Sequence, residues 1–468
     1  MQRIFAIAWL TWKAALRFKL FLVIAALLVL AVVGLPLVIK DDGTAQGFTQ
    51  IILTYTLSCI TALLGISTLW LSCGTLARDI EECQMQVVAT KPIARWQIWL
   101  GKWLGIMSLN AALLAISGAC IFGLLQFRAS RLPPGVQHVL RTEVLVARGA
   151  AKEADVSTLI DSEASQVYQE RAKDGVGFAG LSPEDEKEMR RQIHESVKAD
   201  LQLVPPGYES RPWQINLGSA KKSLPGKPLQ LRVKFNTAIP QQSDRTYPSY
   251  WQVGIPGKTR YWKTEIPMSF SADTFHEFEI PPDLFDENGV LTILFYNPPA
   301  NPALIFPLED GMEVLYPQGG FTLNFMRGLG IIFCWMALLS ALGLAAASFL
   351  SFPVAAFFAL TMLVVVFTSG TLAESVENGT VAAGNAEKGI AGHSVADVVL
   401  IPAFKGVIAL VNLVKNFSPI DNLSTGRSIS WGELGLAFGR IVVLVGGIFA
   451  GTGIFLFNRR ELATAQNQ

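Results

Sequence analysis

Cysteine is scarce in this chain, and charge is thin. Among 468 residues there are five cysteines, Cys59, Cys73, Cys83, Cys120 and Cys334. None lies between residues 128 and 321, so that stretch holds no disulfide staple even if it faces an oxidising compartment. The four histidines, His138, His194, His276 and His393, are scattered and form no zinc-ligand spacing. Charged residues make up 16% of the chain, against roughly 25% in average soluble domains. A formal net charge of +1 offers no basic footprint for a nucleic-acid partner. No internal repeat or low-complexity tract is present.

What the chain does have is apolar sequence. It is 51% hydrophobic with mean hydropathy +0.39, the balance of a membrane protein that also carries a sizeable soluble part. A span needs about 20 predominantly apolar residues to cross roughly 30 Å of hydrocarbon. Six stretches qualify: Leu20–Ile39, Ile51–Leu71, Ile98–Phe127, Leu323–Phe349, Val354–Leu372 and Leu436–Phe457. The first is too long for a signal-peptide core. Orientation follows from lysine and arginine near the span ends. Arg3, Lys13, Arg17 and Lys19 precede the first span, Arg78, Lys91 and Arg95 lie between the second and third, and Arg459 and Arg460 follow the last. With six spans these all fall on one side, so both termini are expected in the cytoplasm.

The expected fold is therefore a polytopic α-helical membrane protein of six transmembrane helices with an extracytoplasmic insert. Residues 1–19 read as a cytoplasmic interfacial helix. Residues 20–127 hold the first three spans, with a charged loop at 76–97. The insert covers 128–321, residues 322–372 hold spans four and five, and 436–457 form span six before a tail at 458–468. Residues 373–435 are expected outside. Their apolar segment 395–414 contains Asp397, Pro402 and Lys405 and is read as helices dipping into the outer leaflet rather than a seventh span.

The insert has two parts. Residues 132–203 look helical and charged, with helix starts at Asp155-Val-Ser and at Ser182-Pro183, where serine is a candidate N-cap and proline takes the first helical position. From 213 to 317 the pattern turns to alternation and Pro/Gly punctuation. "LQLRVKFN" places Leu229, Leu231, Val233 and Phe235 on one face, the signature of a strand in an antiparallel sandwich. "QVGIPGKT" at 252–259 ends like a phosphate-binding loop, but its first position is Gln252 and Pro256 intrudes, so it reads as a turn. His276 reads as a strand-edge surface residue. Trp213, Trp251, Tyr261 and Trp262 suit core packing better than stacking on a sugar-like ligand. No catalytic constellation or metal set emerges, and the spans hold almost no ionisable residues, unlike those of an ion pump.

The stretch "LARDIEECQMQVVATKPIARWQIWLGKWLG", residues 76–105, resembles the type-2 family of ABC transporter permeases. The matching positions are Arg78-Asp79-Ile80-Glu81-Glu82, Lys91-Pro92-Ile93, Arg95 and Gly101-Lys102. "AAASFLSFPVAA" at 345–356 resembles the family's cytoplasmic turn between spans four and five. "NFSPIDNLSTGRSISWGELGLAFGRI" and the later "LFNRREL" resemble its closing section. The resemblance covers 1–127 and 322–462; the long insert departs from it, as do Cys83 and Gln84, where the family often has Gly and a small polar residue.

By that resemblance the loop carries a coupling helix that docks on a separate cytoplasmic ATPase. Arg78, Asp79, Ile80, Glu81, Glu82, Met85, Lys91, Pro92 and Arg95 are its implied contacts, with carboxylates and arginines giving direction and Ile80 and Met85 apolar anchors. The implied complex pairs two permeases with two ATPases, and ATP and magnesium belong to the partner, leaving no cofactor in this chain. Lipid and a possible extracytoplasmic partner on 128–321 complete the expected contacts, in a bacterial inner membrane. The alternative is a membrane-anchored binding, scaffold or sensor protein without transport.

Overall fold

A backbone in hydrocarbon must satisfy its own hydrogen bonds, which makes helices of the long apolar runs. A computed structural model of the chain describes residues 2–17, 20–38, 45–85, 93–173, 183–239, 245–367, 397–414 and 417–460. In chain order the helices are α1 (Gln2–Arg17), α2 (Leu20–Val38), α3 (Ala45–Glu81), α4 (Arg95–Arg131), α5 (Pro134–Glu143), α6 (Ser157–Lys173), α7 (Pro183–Gln202), α8 (Phe321–Ala347), α9 (Phe352–Phe367), α10 (Asp397–Val414), α11 (Pro419–Ser424) and α12 (Trp431–Arg459). The strands are β1 (Val146–Lys152), β2 (Leu203–Val204), β3 (Trp213–Asn216), β4 (Leu229–Val233), β5 (Asn236–Thr237), β6 (Thr246–Val253), β7 (Trp262–Lys263), β8 (Met268–Ser271), β9 (His276–Ile280), β10 (Val290–Tyr296), β11 (Leu304–Ile305) and β12 (Met312–Gly320).

The chain divides into two units, Met1–Ala147 with Gly320–Gln468, and Arg148–Gly319. The insert was expected to begin at 128; α4 instead runs on to Arg131, and Leu140, Val144 and Leu145 pack in the helical core of the first unit.

Four helices are long and apolar enough to cross a membrane: Thr49–Glu81 within α3, α4, α8 and α12. Shorter apolar segments, Val23–Leu35 and Phe352–Val366, lie in α2 and α9. The described residues thus give four full-length spans where six were expected. Residues 368–372 of the expected fifth span lie outside the described residues, as do 373–396. Residues 397–414 form α10, with Pro402 inside it. At about 1.5 Å per residue, α3 and α4 each reach about 55 Å, beyond the roughly 30 Å of hydrocarbon, so their ends extend past any bilayer core.

Small residues set how closely these helices approach. Along α1, Ile7, Thr11 and Ala15 are buried at four-residue spacing, while Phe5, Trp9 and Leu10 stay exposed. The buried stripe meets α4 at two glycines one turn apart. A Cβ on Gly101 would lie 2.8 Å from Ile7 Cβ, and one on Gly105 2.7 Å from Thr11 Cβ, so neither position admits a side chain. Trp12 Nε1 donates to Ser108 Oγ at 2.6 Å. The start of α8 organises the closing section. The buried Asn324 donates through Nδ2 to the Arg427 carbonyl at 2.6 Å and accepts from the Ile429 N–H at 2.7 Å. Arg327 donates to the Ile429 carbonyl and lies 4.7 Å from the Trp431 ring centroid.

The second unit is built on two sheets and a helical hairpin. One sheet has strand order β1-β12-β4-β9; the other is β3-β10-β6-β7, with β8 also on β6; β2-β11-β5 forms a small third. Leu229, Leu231, Val233 and Phe235 are all fully buried, as their alternation predicts. They share one core with Trp213, Trp251, Ile293 and Phe295 from the other sheet. On the opposite face of the first sheet, Glu313, Arg232 and Glu277 stand directly across β12, β4 and β9, and Arg148 donates to Glu277 at 2.8 Å. This row of alternating charge, with Glu313 fully buried, stabilises only the register that pairs it. In the hairpin, Ile160 and Ala164 of α6 pack on Ile193 and Val197 of α7. Helix α7 begins at Pro183, and Asp155 Oδ1 accepts the Ser157 N–H at the start of α6. That bond holds the Asp155 carboxyl below its ordinary pKa.

The expectation of helix throughout 132–203 is corrected by β1. "VARGAAK" has good helix formers, yet its small residues serve close packing in a sheet: a Cβ on Gly149 would sit within 2.3 Å of the Tyr316 ring.

Candidate functional site

The turn between α3 and α4 gathers most of the residues singled out in the sequence. Arg78, Asp79, Ile80 and Glu81 occupy the last turn of α3, which ends because Cys83 adopts φ 57°, in the left-handed region that costs a non-glycine residue about 1 kcal/mol. The Glu82 and Cys83 N–H groups bond back to the Arg78 and Ile80 carbonyls at 2.8 and 3.2 Å. Helix α4 restarts at Arg95, with the Ala94 N–H donating to Gln97 Oε1. Lys91 and Pro92 lie outside the described residues.

Each charged side chain here ties one helix end to another. Asp79 pairs with Lys102 of α4 at 2.5 Å, and the Lys102 ammonium also donates to the Thr75 carbonyl at 2.7 Å. Lys102 is 7% exposed, and these two partners offset the desolvation of its ammonium group. Glu81 Oε1 accepts the Phe352 N–H at 2.8 Å, satisfying a free donor where α9 starts. The Arg78 guanidinium lies 4.4 Å from the Phe352 ring centroid, and Trp70 meets the same ring edge-on at 5.1 Å. Arg95 donates to the carbonyls of Phe457, Asn458 and Arg460 at 2.5, 3.0 and 2.8 Å, at the negative end of α12. Arg460 in turn reaches the carbonyls of Ala347 and Ser348 at the end of α8, both at 3.3 Å.

These links join α3 to α4 and α9, α4 to α12, and α12 to α8. Ile80 and Met85 turn inward: Met85 is 2% exposed, and both pack against the chain's own cluster of Leu76, Ala77, Ile98 and Trp99. Among the described residues, the end of α3 and the start of the turn expose Glu81, Glu82, Cys83 and Gln84, with Gln84 donating to Glu82 at 2.7 Å, and Trp96 lies close by in sequence. Lys102 and Arg460 belong to the site although the implied contact set omits them. The signal for Lys102 was available, as a lone cation two turns into an apolar helix.

The other candidates resolve more simply. Gln252 and Val253 end β6, and residues 254–259 turn toward β7, with Gly254 and Gly257 at φ 90° and 82° and no helix following. His276 Nε2 sits 2.8 Å from Thr274 Oγ1, with its ring stacked on Phe270. Trp213 and Trp251 are core residues, Trp262 is half-buried and Tyr261 exposed. Among the described residues no group of three His, Cys, Asp or Glu side chains is placed to hold a metal ion.

Searches against protein families, curated proteins and solved structures find no match to this chain.

Proposed function

We propose that the chain is the membrane subunit of an ABC transporter, a permease of the type-2 kind that works as an exporter and is driven by a separate cytoplasmic ATPase. In this reading α2 and α9 complete a six-span bundle, both termini face the cytoplasm, and residues 148–319 lie on the other side of a bacterial inner membrane. ATP and magnesium bind the partner, and a second permease copy completes the complex.

The observation that carries the proposal is the wiring of the α3–α4 turn. A pull or push on Glu82–Gln84 is transmitted through Asp79–Lys102, Glu81–Phe352, Arg95 and Arg460 into four other helices, which is what a handle for an external motor requires. Cys83 adds support: its left-handed backbone is the conformation glycine adopts freely, and the resembled permeases often carry glycine there. Exposed Phe5, Trp9 and Leu10 on α1 suit a helix lying at the cytoplasmic interface.

The test is whether an ABC ATPase is encoded beside this chain and co-purifies with it, together with ATP hydrolysis by the complex. Glu82→Lys, on the exposed turn, is expected to lose the ATPase or its stimulated activity. Glu81→Lys adds loss of the Phe352 contact. Retention of both partner and activity in Glu82→Lys contradicts the docking site, and the absence of any bound ATPase favours the anchored binding-protein alternative.

A further inference from the structure

The second unit carries a cleft on its own account. The inward residues of β6 and β10, Trp251, Val253, Ile293 and Phe295, belong to the core, so Tyr250, Gln252, Leu294 and Tyr296 face the opposite way. A central sheet face left to solvent is usually covered with charge and β-branched residues. Here Tyr250 and Tyr296 stand directly across the β6–β10 pair, their ring centroids 6.3 Å apart and tilted by 54°. They form part of the floor of a cleft of about 500 Å³, whose walls include Glu209, Lys263 and Glu265.

The polar ends are as telling as the rings. Among the described residues, no hydrogen bond ties the side chains of Glu209, Tyr250, Gln252, Lys263, Glu265 or Tyr296 to another protein group. The cleft therefore offers an unspent set of donors and acceptors around an aromatic platform, on two central strands that hold it rigid. The ligand class that matches has apolar C–H faces to lie on rings and hydroxyls that both donate and accept. Two carboxylates against one ammonium disfavour phosphorylated or uronic-acid ligands. The volume sits in the usual range for small-ligand sites, room for roughly two or three hexose rings.

We infer that this cleft binds an uncharged oligosaccharide, stacked on Tyr250 and Tyr296 and hydrogen-bonded by Gln252, Glu209, Lys263 and Glu265. This goes beyond the transport proposal and rests on the second unit alone, so it stands or falls separately from ATPase docking.

The experiment uses the full chain in phosphatidylcholine nanodiscs, which avoids glycoside detergents. Maltotriose, cellotriose and chitotriose are titrated by calorimetry, with a trisaccharide containing glucuronic acid as the charged comparison. At least one neutral trisaccharide is expected to bind saturably. Tyr250→Ala and Tyr296→Ala should each weaken that binding about tenfold, the loss of one stacking contact, while Tyr261→Ala leaves it unchanged. If either alanine variant fails to fold, Gln252→Ala and Glu265→Gln must show the loss, by about threefold or more. Failure of all three neutral sugars to saturate overturns the inference, as does tighter binding of the charged one or wild-type affinity in the folded cleft variants.

Discussion

The Asp79–Lys102 pair makes an asymmetric prediction. Its partners differ in burial: the Lys102 side chain is 8% exposed and that of Asp79 34%. Breaking a buried ion pair by removing one partner costs about 3–5 kcal/mol, most of it from the charge left behind. In Asp79→Asn the stranded charge is the buried ammonium, whose one remaining strong acceptor is the Thr75 carbonyl, so the loss should be about 3 kcal/mol or more. In Lys102→Met the stranded charge is a carboxylate that water already reaches, and the loss should be about 1–2 kcal/mol. The double variant Asp79→Leu with Lys102→Met leaves no stranded charge and should fall within about 1 kcal/mol of the parent. Equilibrium unfolding in micelles, followed by tryptophan fluorescence, reads all three. Equal losses in the two single variants, or a double variant as unstable as their sum, would refute the reasoning.

Four further outcomes follow from the geometry. Gly105→Val places new carbon where Thr11 already sits and should cost about 1–3 kcal/mol, seen as proteolytic release of residues 2–17. Asn324→Ala removes a buried donor and acceptor at once and should cost about 2–3 kcal/mol, with faster hydrogen exchange at the Ile429 amide. Cys83→Gly relieves the left-handed backbone and should stabilise the chain by about 0.5–1 kcal/mol in the same unfolding assay. Hydrogen bonds from Arg191 and Gln192 hold the Glu188 carboxyl down at about 2, against 4.5 unperturbed. Because its folded pKa is depressed, its contribution is present above about 4.5 and disappears as pH falls through about 2. Titration of ¹³C-labelled glutamate, assigned with Glu188→Gln, should show that midpoint move upward in Arg191→Gln.

Much of the architecture was readable because single residues decided it. Long apolar runs leave a backbone little choice but helix, and Leu229, Leu231, Val233 and Phe235 alternate so strictly that only a half-buried strand fits. Pro183 marked a helix start, and Pro256 ruled out a phosphate loop. Strand β1 was not readable, because the alanines, Arg148 and Lys152 around Gly149 are good helix formers, and the close approach of Tyr316 to Gly149 carries no signal in one dimension. The inward direction of Met85 is set by its packing on Leu76, Ala77, Ile98 and Trp99, a tertiary property. Of the aromatics, periodicity marks Trp213 and Trp251 as core; that Tyr250 and Tyr296 pair on the far face follows only from the register of β6 with β10. The partners of Arg95 and Arg460 are backbone carbonyls far along the chain, and carbonyls carry no residue signature.

The central claim, that the α3–α4 turn is a cytoplasmic handle, is tested most directly at Cys83, which is exposed just beyond the end of α3. In a chain with Cys59 and Cys120 replaced by serine, a membrane-impermeant maleimide should leave Cys83 unlabelled in intact cells and label it after permeabilisation. Labelling of Cys83 in intact cells would contradict the account.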